Sequence, residues 1–199
     1  MTMKANRFFI ALLISGLSIY AAAQKSEIKL MYSPLSLIQI GDKGSNLEDP
    51  TSNYTGAYIM DYNRYLKPRL KLGINVTYEQ GRVSGTTTDS YIRQEPPYDI
   101  ITFTYHDTYE EHHLFFGPQL SYEYIQKDNF RMGSLVGLSM VLNNWVGIRD
   151  SQIMFKTTDI NVFFHVELIN FTWGKKLGLT GQLGYGHKGI VSLGFFSRW

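Results

Sequence analysis

The sequence predicts an all-β protein, an eight-stranded antiparallel transmembrane β-barrel preceded by a cleavable signal peptide. Three observations carry this expectation. Apolar residues recur with period two over most of the chain, and no later segment sustains a helical period. Aromatics are abundant, with 14 Tyr, 12 Phe and 3 Trp in 199 residues, and so many Tyr suit strands and wet–dry boundaries better than helices. The connections between the apolar ribbons alternate between long and short, as in barrels with long loops on one side of a membrane and tight turns on the other.

The first stretch reads as a removable leader. Lys4 and Arg7 form a basic start, Phe8 to Tyr20 is mostly apolar, and Ala21-Ala22-Ala23 supplies small residues before Gln24. This is the plan of a secretory signal peptide, and the apolar run is short for a spanning helix. Residues 1–23 are assigned to the leader and 24–199 to one barrel domain.

Strand one is expected at 27–40, with Pro34 interrupting it. Strand two, 53–65, carries Tyr54, Tyr58 and Tyr62. In strand three, 70–82, Leu70, Leu72, Ile74, Val76 and Tyr78 alternate with Lys71, Gly73, Asn75, Thr77 and Glu79. Strand four, 109–125, sets Leu114, Phe116, Pro118, Leu120 and Tyr122 against Gly117, Gln119, Ser121 and Glu123. Pro118 lacks a ladder donor and is read as a bulge. Strand five is placed at 130–142. Strand six, 156–171, puts His165, Glu167 and Ile169 opposite Phe164, Val166 and Leu168. Strands seven and eight follow at 175–186 and 190–199. The longest connection is expected at 83–108, with 41–52 and 143–155 also long. The last is a three-residue loop, His187-Lys188-Gly189, with Gly189 left-handed and Tyr185 and Val191 on one face. An even strand count puts both ends of the barrel on the tight-turn side.

Alternation alone does not say which face meets water. A soluble lipocalin-like barrel keeps apolar residues inside, and a membrane barrel turns them out. The polar face here is rich in Gly (Gly73, Gly117, Gly133, Gly137, Gly178, Gly184, Gly194), which suits a narrow lumen with room for small side chains and a few long ones. The charges on it also alternate in sign around the barrel: Asp61, Lys71, Glu123, Arg131, Glu167, Lys176, then Arg198. A network of pairs tolerates a low-dielectric lumen that a lone charge does not. The plainer alternative is that charges near turns are solvated. Aromatic girdles are expected from Tyr54, Tyr58, Tyr62, Tyr78, Tyr122, Tyr124, Tyr185 and Trp199.

Net charge is +2, from 19 basic and 17 acidic residues, without a basic arm, so nucleic acid is not expected as a partner. A mean hydropathy of −0.17 excludes a bundle of membrane helices. The absence of Cys excludes disulfides and thiolate sites. No cofactor is expected, since Gly41-Asp42-Lys43-Gly44 lacks the length and following helix of a phosphate loop.

The chain closes Ile190-Val-Ser-Leu-Gly-Phe-Phe-Ser-Arg-Trp199. Together with the leader and residues 183–191, this resembles the small outer-membrane β-barrel (porin-like, OmpX/OmpA-type) proteins of Gram-negative bacteria. The resemblance implies a cell outer-membrane location, contact with outer-membrane lipid, and assembly by the barrel-assembly machinery through a C-terminal signal, here Phe195 and Trp199. The third residue from the end, usually aromatic in that family, is Ser197. Non-enzymatic surface interaction through extracellular loops, with an unknown extracellular partner, is the role expected.

Two clusters are weighed as chemistry. His165 and Glu167 share a face, with Ser121 and Ser192 as conceivable nucleophiles for a lipid-modifying barrel enzyme. A structural role, with Glu167 paired to Lys176, is the simpler account. His106, His112 and His113 with Asp107, Glu110 and Glu111 contain metal-ligand types but no diagnostic spacing. No catalytic or metal residue is assigned.

Overall fold

A computed structural model describes residues 25–35, 47–92 and 99–199. Residues 1–23, assigned to the leader, and 36–40, assigned to strand one, lie outside them. The strands are β1 (Ser26–Ser33), β2 (Glu48–Lys67), β3 (Leu70–Ile92), β4 (Ile100–Gln126), β5 (Phe130–Arg149), β6 (Gln152–Gly174), β7 (Leu177–Tyr185) and β8 (Val191–Arg198). Each pairs antiparallel with its neighbours in chain order, and β8 closes on β1. Closure removes the exposed sheet edge that an open eight-stranded sheet would leave.

The alternation places the apolar residues outside. On β4, Leu114, Phe116, Pro118, Leu120, Tyr122 and Tyr124 are exposed, while Phe115, Gln119, Ser121 and Glu123 are buried. Elsewhere Val162, Phe164, Leu193 and Phe195 are each more than 60% exposed. Inside, Glu27 and Asp61 are 0%, Lys29 1% and Lys71 2% exposed. The inward glycines serve those large polar groups. A Cβ on Gly137 would lie 2.0 Å from the His165 ring, and one on Gly73 2.3 Å from Asn63 Oδ1.

Several elements differ from expectation. The stretch 83–108 is mostly strand: β3 and β4 pair without a break from Leu70↔Tyr122 to Ile92↔Ile100. Its Thr86-Thr87-Thr88 and Ile100–Tyr105 runs are β-branched and aromatic, so they pair well although polar enough to suggest a loop. The region 143–155 is likewise a hairpin. Its turn is Asp150-Ser151, both at positive φ (47° and 70°), the two-residue geometry that matches strand twist. Pro118 makes no bulge. Pairing of β4 with β5 stops at Phe116↔Met140 and resumes in the same register at Gln119↔Gly137. Ile169 does not share the inward face of Glu167, because a register shift between them turns both Leu168 and Ile169 outward and Asn170 inward. Above Val166↔Tyr185, β6 has no partner on the β7 side among the described residues, and Gln152–Phe164 is exposed on both faces there.

The connection from β7 to β8 is wider than three residues. The last ladder pair is Leu183↔Val191, and the Gly189 N–H donates to the Gly186 carbonyl. Gly186 (φ 140°) and Gly189 (φ 82°) both have positive φ. A Cβ would meet His165 Cβ at 2.5 Å from the first and Ser33 Oγ at 2.1 Å from the second. Glycine at both positions lets the tip fold into the barrel, so His187 and Lys188 are 2% and 3% exposed. Tyr185 and Val191 do face outward together.

Candidate functional site

The lumen is a stack of polar layers. Nearest the tight turns, Glu27 of β1 is the hub. Lys71 Nζ donates to Glu27 Oε1 at 2.9 Å and lies 2.8 Å from Glu123 Oε1. Arg198 Nε donates to Glu27 Oε2 at 2.9 Å, and its Nη2 reaches the same oxygen. Glu123 also accepts from the Tyr65 hydroxyl at 2.9 Å, and Arg131 Nη1 donates to that hydroxyl at 2.8 Å.

The middle layer centres on Lys188. Its ammonium lies 2.8 Å from each carboxylate oxygen of Asp61, donates to Gln119 Oε1 at 2.8 Å, and donates to Glu167 Oε1 at 3.0 Å. An ammonium has three hydrogens, and three acceptor side chains surround it. Lys29 joins the two layers, 3.7 Å from Glu27 and bonded to Asn170, which in turn donates to Glu167.

Above lies an aromatic column. Phe115 stacks on His187 (4.7 Å, 13°), and His187 meets His165 edge-on at 4.5 Å. His187 Nε2 is 3.1 Å from Asn75 Oδ1. His113, with Asn143 at 2.7 Å and Glu111 at 3.2 Å, caps the column.

The geometry places Asp61, Lys71, Glu123, Arg131, Glu167 and Arg198 in this interior and brings each to an oppositely charged group. Lys176 is different. It sits exposed in the β6–β7 turn, and Lys188 takes the place beside Glu167 that the sequence reading gave it. Sequence reasoning also missed Glu27, Lys29 and Lys188. The first two follow from extending the alternation of β1, since 27, 29, 31 and 33 share one face. Lys188 was hidden, because a Lys in a Gly-flanked turn normally points to water.

Phe195 and Trp199 both face outward, 65% and 61% exposed. Tyr32, Tyr58 and Tyr78 share one level of the outer wall, and Tyr122, Tyr124, Trp173 and Trp199 lie toward the tight turns. Tyr54 is not in a girdle; its ring lies over inward Gly81.

His165 and Glu167 face the lumen together, but Glu167 is taken up by Lys188 and Asn170, and among the described residues neither ring nitrogen of His165 has a hydrogen-bond partner. The Ser192 hydroxyl donates to the Lys188 carbonyl at 2.9 Å. The second cluster is split by the strand's pleat. His112 points out to the Tyr78 hydroxyl at 2.9 Å, and His113 points in. Asp107 belongs instead to the projecting part of β4, where Arg149 Nε and Nη2 donate to its two oxygens, both at 2.8 Å. That fork, then the Thr87 hydroxyl, holds the Asp107 carboxyl below the ordinary carboxylate range.

In architecture this is a closed eight-stranded antiparallel barrel with its charges inside and its apolar residues outside. No protein-family model and no curated protein matches the chain. Among solved structures it is similar to the N-terminal β-barrel domain of Pseudomonas aeruginosa OprF. Identity is 12%, with 88% of this chain and 97% of that one covered and a TM-score of 0.48. At that score the likeness adds nothing to what the barrel's own geometry establishes.

Proposed function

We propose that the chain is an integral outer-membrane barrel protein without enzymatic activity. Its projecting strands face outward for surface interaction or envelope support, and its lumen is filled rather than a diffusion pore. The inversion of the barrel carries this reading: ion pairs inside, Leu, Val and Phe outside. From Leu114 to Tyr124 the outward residues of β4 cover about 34 Å of strand, or ~26 Å along the normal at a ~40° tilt, close to the apolar band of outer-membrane barrels. A lipocalin-like binder would have the opposite polarity. The tight turns and both ends of the barrel then face the periplasm. The filled lumen rests on Lys188 and His187, which the last hairpin carries into the interior.

Fractionation of a Gram-negative host tests the assignment. The protein is expected in the outer membrane, extractable only by detergent, and migrating differently in gels before and after boiling. Recovery from the soluble periplasm without detergent would overturn it. For the non-enzymatic role, purified protein is expected to leave lipid A acyl chains intact. Hydrolysis abolished by His165→Ala would establish the opposite.

A further inference from the structure

The tight-turn mouth of the barrel holds a concavity that the lumen network does not use. It is a funnel of about 550 Å³ between the start of β1, the β4–β5 turn, the β6–β7 turn and the end of β8. Lys25, Lys127, Lys175 and Lys176 line it, all four exposed. Deeper in the wall are Arg131 and Arg198, already occupied by Glu123 and Glu27. Asp128 is the one acidic side chain in the lining among the described residues. An adjoining hollow of about 380 Å³ shares Lys25 and Arg131 and adds Lys67.

Three separate pieces of chain thus bring four lysines to one opening against the single carboxylate of Asp128, while Glu27 and Glu123 are committed to the interior. Like charges gathered this way raise the potential of a concave site and favour an anion there. The lysines act as point charges, which suits phosphate oxygens spread over several directions rather than one planar carboxylate. Gln126 and Trp199 complete the lining. The funnel opens along the barrel axis, whereas leaflet headgroups would surround the outer wall.

We propose that this mouth is a binding site for a compact water-borne polyanion carrying phosphate groups. The site does not depend on the membrane assignment, since its lining and charge are properties of the folded barrel alone.

The test is calorimetric titration of the folded full-length protein, in zwitterionic detergent at low salt, with inorganic tripolyphosphate. Saturable binding at one site per chain is expected, weakening as salt is added. The double variant Lys175→Gln/Lys176→Gln should bind about tenfold more weakly, the scale set by removing two nearby surface charges. Lys156→Gln, at the opposite end of the barrel, should bind as the parent does. Unchanged heat-dependent gel migration establishes that each variant is folded. Absence of saturable binding, or equal binding by the double variant, would overturn the proposal. Citrate binding as tightly as tripolyphosphate would remove the phosphate assignment. Binding that disappears in bilayer discs containing anionic phosphatidylglycerol, but not in zwitterionic ones, would give the site to lipid headgroups.

Discussion

Lys188 is the residue on which the interior most depends. Replacing it with Met leaves Asp61 and Glu167 buried in the middle layer without their shared cation. Breaking a buried pair in this way costs ~3–5 kcal/mol. Lys176→Met, at an exposed turn, should stay within about 0.5 kcal/mol of the parent. Urea unfolding in lipid vesicles, followed by tryptophan fluorescence, compares the two, and equal losses would contradict the placement of Lys188. Asp107 gives an acid-range prediction. Its folded pKa lies below the unfolded value, so its contribution is complete above about pH 4 and is lost as pH falls through the folded pKa. Protease cleavage of the projecting hairpins should therefore rise in acid, and Asp107→Asn should flatten that rise. Six of the seven charges named from the sequence point inward, because period-two alternation assigns faces reliably wherever the strand is regular. The seventh failed because Lys176 lies past the ladder, where alternation has no meaning.

At the scale of the element, hydrogen-bond pairing outran hydropathy. The projecting parts of β3 and β4 mix Ser, Thr, Asp and Gly with β-branched and aromatic residues, so composition pointed both to a loop and to strands that project; cross-strand partners decide it. Bulges were equally illegible, since Leu168 and Ile169 look interchangeable until register separates them. The gap beside Pro118 makes a steric prediction. A Cβ on Gly117 would sit 2.0 Å from the Leu138 carbonyl oxygen, which is backbone and cannot swing away. Gly117→Ala should cost ~1–3 kcal/mol, the range for overpacking. Full stability in the same urea assay would mean that β4 and β5 can separate freely there. The edge of β6 above Val166, unpaired among the described residues, carries Lys156 and Asp159, and charges of this sort discourage a foreign strand from adding to it.

For the whole molecule, the fold class was legible because length, alternation and tight turns all lead to a closed ring, and the Gly-rich polar face indicated its polarity. The way the lumen is filled was not legible, since it depends on a turn folding inward between two glycines. The ring closes where β8 meets β1, and the contact that fastens it, Arg198 to Glu27, joins residues 171 positions apart. The lysine that neutralises the middle layer arrives on the last hairpin. A nascent chain lacking its final two strands would hold Glu27, Asp61 and Glu167 with too few cations beside them, and an incomplete sheet would be poorly suited to hydrocarbon. Sealing of the seam, docking of the tip and burial of charge therefore belong to one late cooperative step. On the proposed membrane assignment, entry into lipid should therefore be coupled to completion of the chain, with partial products left at the water side.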